Sequence, residues 1–299
     1  MGMSVNTNVG AMAALQALNA TNKGLATTQS RINSGLNVTS TKDDSASYTI
    51  AQNLRGDLGG LRAVTSSLNR AKSVTDVAVA GAEQISDVVN QMKTLAKQSA
   101  DEGISDETRA AYNNDFKALR DQIGTIVNSA EFNGTNLLKT SGGNVSALQS
   151  LSNKSATPTT TYVPDSLSVA NQALDLVPAP GTPVAQTLYS DSDLIDPAAT
   201  TPTTKAAKSA AMVSTLDKLS KDLGTKLSTL GSASRNIDNQ LTFSSKLSDT
   251  IESGIGNLVD ADLAKESAKL QALQVKQQLG VQALSIANQA PQTITSLFQ

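Results

Sequence analysis

Reactive side chains are few in this sequence, and those that could act together are carboxylates. Asp43 and Asp44 stand side by side, and Asp260 and Asp262 stand two apart. Either pair could begin a site for a hard divalent cation, which gathers oxygen ligands from several groups at once. No third ligand group stands near Asp43 and Asp44. Both pairs also open helical patterns, where an acidic side chain accepts amide N–H groups and suits the positive end of the helix dipole. They read better as helix starts than as metal sites. The chain has no His and no Cys, which removes the usual ligands of tight zinc, copper and haem sites and the commonest general base. Ser–Lys pairs abound, as they must in Ser-rich helices, and none carries extra signal. Gly56, Gly59 and Gly60 sit in a helical pattern, without the preceding strand that a dinucleotide fingerprint needs, and no Gly-x-Ser-x-Gly elbow occurs. A Ser–Lys or two-carboxylate enzyme stays formally open, but nothing in the residues points to an enzyme.

The elements that would position these residues are long helices. Leu54, Leu61, Leu68, Thr75, Ala82 and Val89 recur every seven residues, and Val64, Ala71, Ala78, Ile85 and Met92 hold the companion position. A stripe kept up this long predicts a rod running to about Ala100, far beyond the usual 3–4 turns, and a rod must bury its stripe against other rods. Gly103 interrupts it. Ile104 to Glu107 restarts a helix whose apolar face carries Tyr112, Phe116, Leu119, Ile123, Ile126 and Val127. Upstream, Ala11, Leu18, Leu25 and Ile32 lie seven apart, with Leu15 and Leu36 beside them. Downstream the helical period returns with Leu216, Leu219, Leu223, Leu227, Leu230, Ile237 and Leu241. Past an interruption expected at Gly254 and Gly256, a last helix carries Leu263, Leu270, Leu273, Leu284 and Ile294 to Phe298. The polar faces at both ends are Asn, Gln, Ser and Thr, which are buried against partners at less desolvation cost than charges. The two ends share one surface chemistry, as expected if they pack together.

Composition agrees. Aromatics are 3% of 299 residues and Trp is absent, which suits close helix packing better than a thick globular core. A net charge of −2 gives no general basic field for nucleic acid or anionic lipid. No run reaches the ~18 apolar residues of a membrane span. The opening Met-Gly-Met-Ser-Val-Asn-Thr-Asn-Val-Gly lacks the basic region and apolar core of a Sec-type signal peptide. The chain is therefore expected to be cytosolic or exported by a route that cuts no signal.

Only the middle departs from helical pattern. Phe132-Asn133-Gly134 signals a turn. Between Pro158 and Pro202 lie seven of the eight prolines, and from Thr140 to Thr204 one lysine faces five aspartates. Thr161-Tyr162-Val163 and Thr187-Leu188-Tyr189 are candidate strands. The stretch is too small and proline-rich for a catalytic domain, and reads as a small, exposed, partly irregular excursion.

Several motifs together resemble the bacterial flagellin family. Ser4-Val5-Asn6-Thr7-Asn8, Ser30-Arg31-Ile32-Asn33-Ser34-Gly35-Leu36 and Lys42-Asp43-Asp44-Ser45-Ala46 are similar to its N-terminal signature, and Phe132 to Leu138 to the turn closing its N-terminal region. Arg235-Asn236, Asp260 to Glu266, Ala287 to Gln292 and the terminal Leu297-Phe298 resemble its C-terminal counterpart. The likeness covers roughly residues 4–138 and 205–299, and the short middle is similar in size to that of compact flagellins, including alphaproteobacterial ones.

The resemblance implies a mainly α molecule: a long antiparallel coiled-coil helical hairpin with both chain ends paired, plus a small β or irregular outer insertion. Residues 1–44 and 253–299 would form the inner terminal coiled-coil domain, 45–139 and 205–252 the helical rod domain, and 140–204 a short variable solvent-facing domain. Copies would stack helically into the extracellular filament used for swimming, with no cofactor. Implied partners are many copies of the same chain, an export chaperone on the C-terminal segment, and the filament cap and hook-junction proteins. Neither nucleic acid nor membrane insertion is expected, and export would proceed through the flagellar type III apparatus without a cleaved signal peptide. Subunit packing in the inner domain is assigned to Ala11, Leu18, Leu25, Ile32, Leu36, Leu263, Leu270, Leu273, Leu284, Ile294 and Phe298. In the rod domain it is assigned to Leu54, Leu61, Leu68, Ile85, Met92, Phe116, Leu119, Ile123, Leu216, Leu223, Leu230 and Ile237. Many flagellins carry an Arg recognised by a Toll-like receptor where this chain has Gln91, with Lys93 close by, so weak detection is expected. The rival readings are a hook–filament junction protein, which is made in a few copies, and a flagellin whose outer segment acts as a surface adhesin. A metalloprotease in the middle segment would need a histidine zinc motif that this chain lacks.

Overall fold

The structure, a computed structural model, describes residues 8–153, 163–174, 194 and 201–295, with only the backbone described at 153 and 290–295. Among these residues it contains α1 (Val9–Ser34), α2 (Ser45–Ser99), α3 (Asp106–Ser129), β1 (Val145–Asn153), β2 (Pro164–Val169), α4 (Pro202–Val259) and α5 (Leu263–Thr295). The chain divides into two compact units: Met1–Leu58 with Ser248–Gln299, and Gly59–Leu247.

Local chemistry sets the helix ends. Asn8 caps α1, accepting the Ala11 amide at 3.0 Å, and Gly35 ends it at φ 71°, a left-handed position suited to glycine. Asp44 begins α2, accepting the amides of Ala46 at 3.0 Å and Ser47 at 3.2 Å. Ser105 caps α3 through the Thr108 amide, with Asp106 and Glu107 in the first turn. At the far side of α3, Asn133 (φ 50°) and Gly134 (φ 79°) turn the chain between the bridged residues Phe132 and Thr135.

In the second unit α2 and α4 run antiparallel. Lys72 pairs with Asp238 at 2.9 Å, Ser234 donates to Asp76 at 3.2 Å, and Lys93 pairs with Asp217. Their shared core holds Leu68, Ala71, Ala78, Ala82, Ile85, Met92 and Ala96 from α2, with Leu216, Leu223, Leu230 and Ile237 from α4. Phe116, Ile123 and Val127 of α3 complete it. The stripe read from the heptads is the stripe that is buried.

The described part of the excursion, residues 140–153, 163–174 and 194, is less exposed than the sequence suggests. β1 and β2 form an antiparallel hairpin with Val145 opposite Val169 and Ala147 opposite Leu167, and a bulge follows Leu148. Val145, Ala147 and Val169 are buried in the same core, as are Leu174 and Leu194. Pleat alternation places these side chains inward while Ser146 and Ser168 face out. Side-chain bonds fasten β1 to both long helices: Leu148 donates its amide to Ser67 Oγ at 3.1 Å, and Gln240 donates to the Gln149 carbonyl at 2.7 Å. Of the two candidate strands, Thr161, Tyr162 and residues 187–189 lie outside the described residues, and Val163 immediately precedes β2.

A buried polar network closes the end of the core where α2 meets α3. Arg109, 2% exposed, donates through Nη1 to the Ser99 carbonyl and through Nη2 to the Asp101 carbonyl at 2.8 Å, satisfying the end of α2. The Ser99 and Ser209 hydroxyls meet at 2.9 Å. Leu194 is held by its amide on Asn113 Oδ1 at 2.7 Å and by its carbonyl on Ser209 Oγ at 2.8 Å.

In the first unit, Val38, Ala51, Ile255 and Val259 make a small core with Leu36, Tyr48, Leu54, Ile251 and Leu258 packed against it. The expected break at Gly254 and Gly256 does not occur, and α4 continues to Val259. A helical glycine costs roughly 1 kcal/mol, less than burying Ile255 and Val259 returns.

Candidate assembly surface

The first unit also contains α1 and α5, which pack on each other as an antiparallel pair. Asn8 donates to the Ala287 carbonyl at 2.7 Å, Gln277 donates to Asn22 Oδ1 at 2.8 Å, and Arg31 meets Glu266 at 3.4 Å. Each step forward along α1 is matched by a step back along α5. Small residues permit the approach. Leu18 lies over Gly280, where an added Cβ would stand 3.3 Å from it, and Leu273 lies over Gly24 at 3.6 Å. Beyond α1, Leu36 bridges Asp260, and Ala261 donates to the Gly35 carbonyl at 2.9 Å.

The pair is unusual in what it leaves uncovered. Among the residues whose side chains are described, α1 buries only Thr28 and α5 only Glu266, both polar. Ala11, Leu18, Leu25, Ile32, Leu36, Leu270, Leu273 and Leu284 are half-buried, and Leu263 is exposed. Ile294 has only its backbone described, and Phe298 lies outside the described residues. Val9, Met12 and Leu15 on α1, with Val275, Leu279, Val281 and Ile286 on α5, are each at least 48% exposed. An exposed apolar area of this extent marks an interaction surface.

The rod-side residues behave oppositely. Leu61, Leu68, Ile85, Met92, Phe116, Ile123, Leu216, Leu223, Leu230 and Ile237 are at most 3% exposed within one chain, and Leu119 is half-buried. Leu54 packs on the small core of the first unit. Gln91 is exposed on α2, and nearby Lys93 is engaged by Asp217.

Of the paired carboxylates, Asp44 and Asp262 cap helices as expected, whereas Asp43 braces the turn before α2 and Asp260 closes the end of α4 through its amide on the Gly256 carbonyl at 2.9 Å. Asp43 accepts the Thr39 hydroxyl at 2.7 Å and the amides of Thr39 and Ser40, which hold its carboxyl below the ordinary range. Asp44 is lowered likewise, first by the Ser47 hydroxyl at 2.7 Å and then by the Ser47 amide. Asp262 accepts the amides of Ala264 and Lys265. Among the described residues no three metal-binding side chains converge, and no helix is long and apolar enough to cross a membrane. Sequence reasoning missed Arg109 and Glu266. The available signal for Glu266 was its charge: no other acid occurs in α1 or α5.

Residues 5–142 match the family model of the bacterial flagellin N-terminal helical region, and residues 213–298 match that of the C-terminal helical region. The chain belongs to the bacterial flagellin family. It is 40% identical over 296 residues to flagellin FljK of Caulobacter vibrioides, covering 99% of this chain and 98% of the relative. A Brucella melitensis flagellin is 34% identical over 299 residues, with 99% of each chain covered. A solved structure described as a flagellar hook-associated protein from Vibrio parahaemolyticus has the same fold, with a TM-score of 0.55 at 17% identity, covering 73% of this chain and all of that one. This flagellin is a structural subunit of the extracellular flagellar filament, self-assembling as a homopolymer, and not an enzyme.

Proposed function

We propose that this flagellin polymerises through the α1–α5 pair, whose apolar side chains are covered by neighbouring copies. One observation carries the reading: two helices of 26 and 33 residues bury no apolar side chain among those described. Ordering a residue costs roughly 1–2 kcal/mol of backbone entropy, and the pair alone has little burial to offset it. Neighbouring copies supply the missing surface. The half-buried set from Ala11 to Leu284, with Ile294 and Phe298, then serves subunit packing together with the exposed residues of both helices. The rod-side set, largely buried within one chain, serves the subunit's own stiffness, and the solvent-facing residues of the same helices serve neighbours.

On this reading residues 1–44 and 253–299 act as the inner coiled-coil domain, 45–139 and 205–252 as the rod, and 140–204 as the solvent-facing part. A C-terminal segment with so little to pack on suits an export chaperone that holds it before export. The filament cap and hook-junction proteins meet the same surface, and Gln91 weakens detection by a host receptor. Full-length similarity to several flagellins favours a filament subunit over a junction protein. Electron microscopy after seeding with filament fragments tests the proposal. The full chain should extend seeds into long tubes with a central channel, and a chain lacking residues 1–44 and 253–299 should not. Normal growth by the trimmed chain would contradict it.

A further inference from the structure

We propose that Glu266 is the specificity-determining residue that directs α1 to α5 rather than to α1 of a second subunit; this rests on the assembly reading above. The two helices have interchangeable seams of small apolar residues between uncharged polar ones, and such seams discriminate partners poorly. Their charges do not interchange. α1 carries Lys23 and Arg31, and α5 carries Lys265, Lys269 and Lys276 with Glu266 as its one acid. Opposite charges can therefore meet between two such helices only where α5 presents Glu266. In the antiparallel register the carboxylate sits against Arg31 at 3.4 Å and Lys269 at 3.7 Å, with its side chain 10% exposed. Two copies of α1 would bring only cations together.

The same cluster is poorly suited to be glue. Thr28 Oγ1, Arg31 Nε and Glu266 Oε2 are buried without a hydrogen-bond partner, and each such group costs free energy. Thr28 lies one turn before Arg31 on the face that packs on α5 and is wholly buried. A polar cluster that costs stability yet fixes which helix pairs with which is a recognised use of buried charge.

The test measures incorporation of full-length variants onto unaltered filament seeds, by sedimentation. It is joined to disulfide formation in N22C/Q277C backgrounds, which is clean because the chain has no cysteine. E266R gathers the introduced arginine with Arg31 and Lys269, and should lower incorporation and the intrachain disulfide by about tenfold or more. R31E should be milder, because Lys269 can pair with the introduced glutamate. The swap R31E/E266R should recover both readouts to within about threefold of the unaltered chain. A swap as poor as E266R, or E266R incorporating normally, would overturn the inference while the assembly reading stood. Failure of the unaltered chain to extend seeds would overturn both.

Discussion

Gly81 lies beneath Leu138 in the second unit: a Cβ on the glycine would stand 2.9 Å from Leu138 Cδ1 and 3.2 Å from Ala130 Cβ. Leu138 is fully buried, so neither neighbour can move without disturbing the core. Gly81→Ala should therefore destabilise the unit by about 1–3 kcal/mol through overpacking, despite a gain in helix propensity. Gly60 is the control. Its Cβ would meet Leu151 Cδ2 at 2.6 Å, but Leu151 is a 38% exposed side chain that can swing away. Gly60→Ala should be neutral, or stabilising by up to about 1 kcal/mol. Urea unfolding of the monomer, followed by circular dichroism, separates the two.

Arg109 closes the α2 end by donating to the carbonyls of Ser99 and Asp101. Arg109→Ala leaves two carbonyls without this partner and opens a void, and should cost about 2–4 kcal/mol. Arg109→Lys should not rescue it, because a single ammonium cannot reproduce the planar fork. A lysine variant with unaltered stability in the same urea experiment would show that charge alone suffices.

How far the sequence discloses this fold depends on how far each element relies on local periodicity. The seven-residue stripe from Leu61 to Met92 and its counterpart from Leu216 to Ile237 are buried as expected, because a period sustained over many turns leaves one face to hide. The starts at Asp44, Ser105 and Asp262 were legible because capping needs only neighbouring residues. A small β insertion was expected, but the positions of its two strands were not legible. β1 reads Val-Ser-Ala-Leu-Gln-Ser-Leu-Ser-Asn, with Leu148 breaking the alternation, and its burial depends on distant contacts with Ser67 and Gln240. At the assembly surface, helical spacing gave Leu18 and Leu273 but not the pairing of each with a glycine on the opposite helix. Glu266 carried no signal of a partner in the sequence, and only the α1–α5 pairing sets it against Arg31.

Acid should loosen helix starts and rod clamps before it reaches the core. The carboxyls of Asp43, Asp44 and Asp217 all lie below the ordinary value of 3.8, the first through Thr39 and Ser40 in the turn before α2, the second through Ser47 and Ala46 at the α2 start, and the third through Lys93. A depressed folded-state value contributes stability above the unfolded-state value, and that contribution is lost as pH falls through the folded-state value. Stability should thus be flat above about pH 5 and fall below about pH 4. The combined variant D43N/D44N/D217N should show a shallower fall, measured as urea midpoint against pH. At the other extreme, Lys72 is raised above 10.5, mainly by its hydrogen bond to Asp238. Its contribution is complete below that value and lost as pH rises beyond it.

Leu279 and Ile286 are 57% and 68% exposed on α5. Replacing both with serine should leave monomer stability within about 0.5 kcal/mol of the unaltered chain, as for surface positions generally. The same variant should raise the concentration needed for seeded growth by about tenfold or more, since each side chain is worth about 1.5–3 kcal/mol when fully covered. Equal growth of variant and unaltered chain would remove these residues from the assembly surface.

Amide hydrogen exchange on the same protein, before and after polymerisation, tests most directly whether the terminal helices are completed by neighbouring copies. In dilute monomer the amides of Val9–Ser34 and Leu263–Thr295 should exchange with little protection, while those around Leu68, Phe116 and Leu223 are strongly protected. In filaments all should be protected. Strong protection of both terminal helices in the dilute monomer, unchanged on polymerisation, would contradict the account.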